Sequence, residues 1–219
     1  MKILLILSAV FWHMSAPAQN YDAGFQAQFN ASMGILGGDI DQDNHDFRSK
    51  FAISTNHLAM AIEAKNSNDP KRRLGDQFIL VDVRSAQETS ISMIPSAISL
   101  RDFKKFILEN KTSKLWKSDG TIDSEIPVIL YCTTGYRAFE QASSLINKYQ
   151  VTALAYGGVG PWVVAGNSFV REGQETKAVH LFDKKFKAAI VDQMVDAGID
   201  PKEYTIYPKK DKFDFPTIH

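Results

Sequence analysis

Residues 126–138, IPVILYCTTGYRA, constrain this chain more than any other stretch. After Pro127, the residues Val128, Ile129, Leu130 and Tyr131 form an unbroken apolar run, the pattern of a strand buried on both faces of a covered parallel sheet. Cys132, the only cysteine in 219 residues, ends that run. Thr133, Thr134, Gly135, Tyr136 and Arg137 then make a short polar loop. Residues 138–148 (AFEQASSLINK) place Phe139, Ala142, Leu145 and Ile146 at helical spacing. The cysteine therefore sits where a strand hands over to a helix N-terminus. Amides of the first helical turn have no partner within their own helix, and the positive end of the helix dipole lies beside them, so the position favours an anion or a thiolate. Gly135 lets the loop curl until successive amides face one point, and Arg137 adds a fixed positive charge at its edge. The competing reading of a lone cysteine is a buried small hydrophobe. The glycine, the arginine and the strand-to-helix placement favour a working thiol.

The flanking segments alternate strand and helix. Residues 78–83 (FILVDV) read as a second buried strand, with Asp82 and Arg84 at its end as a loop-tying ion pair. Residues 51–53 suit a short edge strand, and Ser54 or Thr55 caps a helix over 57–65. A strand at 97–100, a helix at 101–109 and a loop at 111–126 turning at Gly120 follow. Residues 151–155 give another strand, closed by Gly157 and Gly158. Pro161 opens a short helix through Trp162 that Gly166 ends, and Trp162 reads as a core or rim residue near the cysteine loop. Such alternation predicts a parallel sheet covered on both faces, with ligands bound beyond the carboxyl ends of its strands, where Asp82, Arg84 and Cys132 meet. Residues 181–197 read as an amphipathic helix that packs Leu181, Phe182, Phe186, Ala189, Ile190, Met194 and Val195 on the domain. Residues 204–219 read as an irregular tail.

Lysine plus arginine and aspartate plus glutamate each number 25. That balance gives no electrostatic footprint for nucleic acid or an anionic membrane. One cysteine and scattered histidines make no metal-ligand pattern, so neither metal nor cofactor is expected. The acidic run at 39–46 (DIDQDNHD) lacks the central glycine and final glutamate of an EF-hand loop and reads as solvated. Residues 1–18 have the form of a secretory signal peptide: Lys2, an apolar segment at 3–12 and the small residues Ala16 and Ala18. The apolar segment is too short to span a bilayer, so a periplasmic or secreted protein is expected, not an integral membrane one. A lone exported thiol has no partner for an internal disulfide.

Four segments in order resemble the rhodanese superfamily: FILVDVRSAQE at 78–88, IPSAISL at 94–100, CTTGYR at 132–137 and GGVGPWVVAG at 157–166. The resemblance covers residues 51–170. It implies a three-layer α/β domain with a central, mainly parallel sheet of about five strands. The rest of the chain reads as the signal peptide at 1–18, an extension at 19–50 and a C-terminal helix and tail at 171–219. The resemblance also implies that Cys132 carries a sulfane sulfur as a persulfide, that Thr133, Thr134, Gly135 and Tyr136 surround it, and that Arg137 closes the loop. Asp82 and Arg84 match supporting polar positions, with Glu88 as partner of Arg84. The implied substrates are a small anionic sulfur donor such as thiosulfate and a thiol or cyanide acceptor. Ser92 and Met93 replace a glycine and histidine common in the family, which removes a polar contact; Ser96 replaces a common glycine and Phe169 a frequent proline.

Two other classes fit the same residues less well. Cysteine phosphatases and arsenate reductases also cradle a tetrahedral anion between cysteine and arginine, but those of this architecture need one residue more than the four between Cys132 and Arg137. A non-catalytic rhodanese-like module would instead dock a protein partner through its lysine-rich C-terminal extension. The leader makes a prediction of its own. Expression in a secreting bacterium should yield an exported protein whose N-terminal residue is Gln19, and recovery of the chain with Met1 intact would contradict it.

Overall fold

The computed structural model describes residues 52–66, 78–124 and 126–208. The expected signal peptide, the 19–50 extension with its acidic run, and the last residues of the tail lie outside them. Five strands, β1 (Ala52–Ile53), β2 (Ile79–Asp82), β3 (Ala97–Ser99), β4 (Val128–Tyr131) and β5 (Ala153–Tyr156), form one sheet in the order β1-β5-β4-β2-β3. All four pairings are parallel. Helices α1 (Thr55–Asn66), α2 (Ala86–Ile91), α3 (Leu100–Asp102), α4 (Tyr136–Tyr149), α5 (Val159–Val164) and α6 (Lys184–Asp196) accompany the sheet.

Alternation along the strands splits the core in two. Ile79 and Val81 of β2, Val128 and Leu130 of β4, and Ala153 and Ala155 of β5 face Ala138, Phe139, Ala142 and Leu145 of α4. Phe78, Leu80, Ile129, Tyr131 and Tyr156 face the opposite way, onto Leu58 and Ile62 of α1, Trp162 and Val163 of α5, and Phe186, Ile190 and Met194 of α6. This is the expected three-layer α/β domain with a parallel sheet. Because β2 and β4 are buried on both faces, they need no polar face, which is why each reads as a continuous apolar run.

Sheet order fixes where chemistry can sit. From β2 the chain steps to β3 on one side and then returns to β4 on the other, so β2 and β4 flank the switch point of the sheet. Their ends lie level, with Asp82 opposite Tyr131, and the Val83 amide donates to the Tyr131 carbonyl at 2.9 Å. Val83 and Cys132 thus emerge side by side, with Arg84 the next residue along.

Several elements differ from the sequence reading. The expected helix at 101–109 is α3 continued by a π-helical turn, Phe103–Leu108, which buries Phe103 and Leu108. Helix α4 starts at Tyr136, two residues before the apolar periodicity begins, because Gly135 at φ +94° supplies the turn that starts it. Ser96 has φ +67°, which accounts for glycine being common at its position in the family. Within the expected irregular tail, residues 205–207 are a strand. Strand β9 (Thr205–Tyr207) pairs in parallel with β8 (Ala178–His180), after a hairpin of β6 (Phe169–Arg171) and β7 (Gln174–Thr176). Outside the strand–helix alternation of the main sheet, three residues carry too little pattern to be read as a strand; pairing holds these strands. Val179, Leu181, Tyr204 and Ile206 join the core that contains Tyr131. No helix among the described residues is long and apolar enough to cross a membrane.

Candidate active site

Cys132 leaves β4 with its side chain in the core layer of α4 and is 2% exposed. The amide of Gly135 donates to its Sγ at 3.2 Å. That contact strengthens as negative charge builds on sulfur. The carbonyls of the loop point elsewhere: the Val159 amide takes the Cys132 carbonyl at 2.9 Å, and the Gly160 amide takes that of Thr133 at 3.0 Å. Such an arrangement requires α5 to approach closely. A Cβ on Gly158, whose φ is +97°, would lie 2.0 Å from the Cys132 carbonyl oxygen, so no other residue fits there. The double glycine after β5 is thus the seat of the cysteine loop.

Arg137 reaches back from the first turn of α4. Its Nη1 donates to Glu88 Oε2 at 3.0 Å and its Nη2 to Glu88 Oε1 at 2.9 Å, a two-point guanidinium–carboxylate pair. Thr133 Oγ1 lies 3.4 Å from both Arg137 Nη2 and Glu88 Oε1, which ties the loop to the pair. Glu88 is itself fixed by a capping box: its Oε2 accepts from the Ser85 amide at 2.9 Å and the Ser85 hydroxyl at 2.8 Å, while the Glu88 amide donates to Ser85 Oγ. Burial alone would raise the Glu88 carboxyl. The two donors and the charge of Arg137, with the charge of Arg84 behind them, outweigh it and hold the group at about 2, from an ordinary 4.5.

The expected pairing of Glu88 with Arg84 is therefore corrected. Arg84 pairs with Asp82, as the loop-tying reading had it, and both side chains are fully buried. Its Nε lies 3.0 and 3.1 Å from the two Asp82 carboxylate oxygens, and its Nη2 donates to Asp82 at 2.7 Å. The remaining donors reach the Ser92 carbonyl at 2.6 Å and the His180 carbonyl at 3.3 Å. Burial opposes the charge on Arg84, and the Asp82 carboxylate overrides it, so the guanidinium is held charged. The substitution at Ser92 and Met93 does not leave a gap. Ser92 Oγ donates to the Ala178 carbonyl at 2.6 Å, and Met93 exchanges both backbone hydrogen bonds with Val170.

Trp162 packs on the far side of the sheet from the Cys132 side chain, edge-on to Tyr156, with its Nε1 donating to the Ser168 carbonyl at 2.8 Å. It supports the helix whose N-terminus seats the loop. Thr133 and Thr134 are buried, and Tyr136 and Arg137 are partly exposed at the mouth. Two contributors escaped the sequence reading. Ser85 carried a signal, since Ser-x-x-Glu before a helix is a capping pattern. Phe182 carried none: its ring lies over the Arg137 guanidinium at 5.2 Å, a contact between residues 45 positions apart in sequence. No group of three His, Cys, Asp or Glu that could hold a metal occurs among the described residues.

The depressed Glu88 carboxyl has a measurable consequence. Its folded value lies below its unfolded one, so the pair's contribution is fully present above about pH 4.5 and is lost as pH falls toward 2. Glu88→Gln should remove up to about 3 kcal/mol at neutral pH, together with most of the acid sensitivity in that window. Urea unfolding of both proteins at pH 7 and pH 3 measures this, and equal pH dependence would contradict it.

Comparison with known proteins bears on this geometry. Residues 62–165 match the family model described as a rhodanese-like domain. Two curated relatives are named tRNA uridine(34) hydroxylase. One, from Arthrobacter sp. (strain FB24), is 25% identical over 59% of this chain and 42% of its own length. The other, from Corynebacterium efficiens, is 29% identical over 51% of this chain and 34% of its own length. The chain thus spans less than half the length of either. Among solved structures, a rhodanese-related protein from Thermoplasma volcanium is 18% identical, with 56% of this chain and 99% of that one aligned at a TM-score of 0.37. With the four ordered motifs and the parallel sheet, the family match over residues 62–165 shows that the chain carries a rhodanese-like domain.

Proposed function

We propose that the protein is a sulfurtransferase. Cys132, as thiolate, attacks the outer sulfur of thiosulfate or a related persulfide donor, and sulfite or the donor thiolate leaves with the bonding pair. A thiol or cyanide then takes the sulfur from the Cys132 persulfide and returns the thiolate. The observation that carries this reading is the Gly135 amide on Cys132 Sγ in a loop whose carbonyls are drawn away by Val159 and Gly160. A charged outer sulfur is stabilised by such amides without any general base. Thr133, Thr134 and Tyr136 complete the loop. Arg137 and Glu88 hold its shape, and Asp82 and Arg84 hold the strand end beside it. The signal-peptide pattern of residues 1–18 supports a periplasmic or secreted setting for this chemistry, and a protein thiol docked near the C-terminal segment is one form the acceptor takes.

The names of the two curated relatives favour a second reading, modification of a uridine in RNA. A polyanionic substrate is held through a basic track, and a chain with 25 basic and 25 acidic residues supports that less well than a small donor. Thiocyanate formation from thiosulfate and cyanide separates the readings. Wild type should turn over, and Cys132→Ser should lose at least about a thousandfold, since no other group supplies the nucleophile. Equal rates in the two proteins would sink the sulfurtransferase reading.

A further inference from the structure

We propose that the preferred donor is a singly charged organic one bearing an aromatic or other apolar group, not the thiosulfate dianion, and that Phe182 selects it. This rests on the sulfur-transfer reading of Cys132. A dianion approaching a thiolate is repelled unless an unengaged cation lies close by. Arg137, the cation hydrogen-bonded to the loop, has both Nη atoms on Glu88. Arg84 is likewise paired with Asp82. Two guanidiniums and two carboxylates sum to zero. Lys184 and Lys185 are exposed on the first turn of α6, where water and salt screen them. Among the described residues, what remains at the sulfur is the backbone, with the Gly135 amide at 3.2 Å. Amide dipoles suit one charged sulfur atom better than a second anionic centre attached to it.

Phe182 supplies the other half. Its φ is +66°, a left-handed conformation that a bulky residue adopts only when its surroundings impose it. They do so here: its amide donates to His180 Nδ1 at 3.1 Å, the Leu181 amide to the Tyr207 carbonyl at 2.9 Å, and the Asp183 amide to the Leu181 carbonyl at 2.8 Å. The ring packs against Phe186 at 5.9 Å and over Arg137 at 5.2 Å, yet the residue stays 37% exposed. A costly backbone conformation therefore holds an aromatic surface at the edge of the cysteine loop, one residue from Thr133 by way of Arg137. An arene carried by the donor can stack there.

The step balances without a co-reactant. Cys132 thiolate attacks the terminal sulfur of an aryl thiosulfonate, the bond from that sulfur to the sulfonyl sulfur breaks, and the aryl sulfinate leaves with the bonding pair. The outer sulfur of the persulfide keeps the negative charge it carried in the donor, and the charge of the thiolate departs on the sulfinate.

The test is the rate of Cys132 persulfide formation in the full chain, by intact mass, with benzenethiosulfonate and with thiosulfate. Each rate is divided by that of free cysteine with the same donor, to remove intrinsic reactivity. Wild type should favour the aromatic donor by about tenfold or more, the worth of one aromatic contact, and a preference below about threefold overturns the proposal. Phe182→Gly accepts the backbone conformation and removes the ring, so it should lower the preference to below about threefold by slowing the aromatic donor. An unchanged preference in that variant, folded by circular dichroism, overturns the role of Phe182. Should Phe182→Gly not fold, Phe182→Leu carries the same comparison with a smaller drop. Loading by thiosulfate alone overturns this proposal and leaves sulfur transfer standing; loading by neither donor removes both.

Discussion

The close approach of Gly158 to the carbonyl of Cys132 is the constraint on which the site depends. A methyl group there would sit 2.0 Å from that oxygen. With only hydrogen on Gly158, the amides of Val159 and Gly160 reach the carbonyls of Cys132 and Thr133. Those two bonds set the orientation of the loop's peptides, and the Gly135 amide meets the sulfur as a result. Strands β4 and β5 are neighbours in register, with Tyr131 opposite Tyr156, so the sheet itself delivers the two segments to one place. The thiol's surroundings follow from backbone geometry, with side chains in a supporting role.

The buried charges do a different job. Ion pairs withdrawn from water contribute little net stability, because desolvation offsets their attraction, but losing one partner strands the other and costs about 3–5 kcal/mol. Their value here is positional. Glu88 joins the capped start of α2 to Arg137 on α4 and to Thr133 in the loop. Arg84 joins the end of β2 to the Ser92 and His180 carbonyls, and Ser92 reaches Ala178. The strand carrying Ala178 and His180 is tied in turn to β9. A chain of hydrogen bonds thus runs from the cysteine loop's neighbourhood into the C-terminal segment, which packs Phe186, Ile190 and Met194 into the same core as Tyr131.

Much of this was legible in the residues, and the rest was hidden for identifiable reasons. The apolar runs at 79–82 and 128–131 announced strands buried on both faces, and the cysteine at the end of one, followed by Gly135 and Arg137, announced the loop. The alternation of elements was enough for the parallel sheet. Partner choice was not legible. Glu88 lies four residues from Arg84 and 49 from Arg137; the pairing taken from the resemblance named the wrong guanidinium, because the sheet brings the loop back onto α2. Strands β8 and β9 were missed because three residues carry too little pattern. Phe182 was counted among the apolar face of a helix that begins only at Lys184. Its position over Arg137 comes from a turn whose φ no local sequence rule requires.

The central claim is that Cys132 accepts a sulfur atom. Its most direct test is the intact mass of the wild-type chain and of Cys132→Ser after incubation with thiosulfate, inorganic polysulfide or benzenethiosulfonate. Sulfur transfer predicts a gain of one sulfur atom in the wild type with at least one of these donors, reversed by cyanide and absent from the serine variant. A wild-type mass unchanged by all three, in protein whose Cys132 is still alkylated by iodoacetamide, would contradict it.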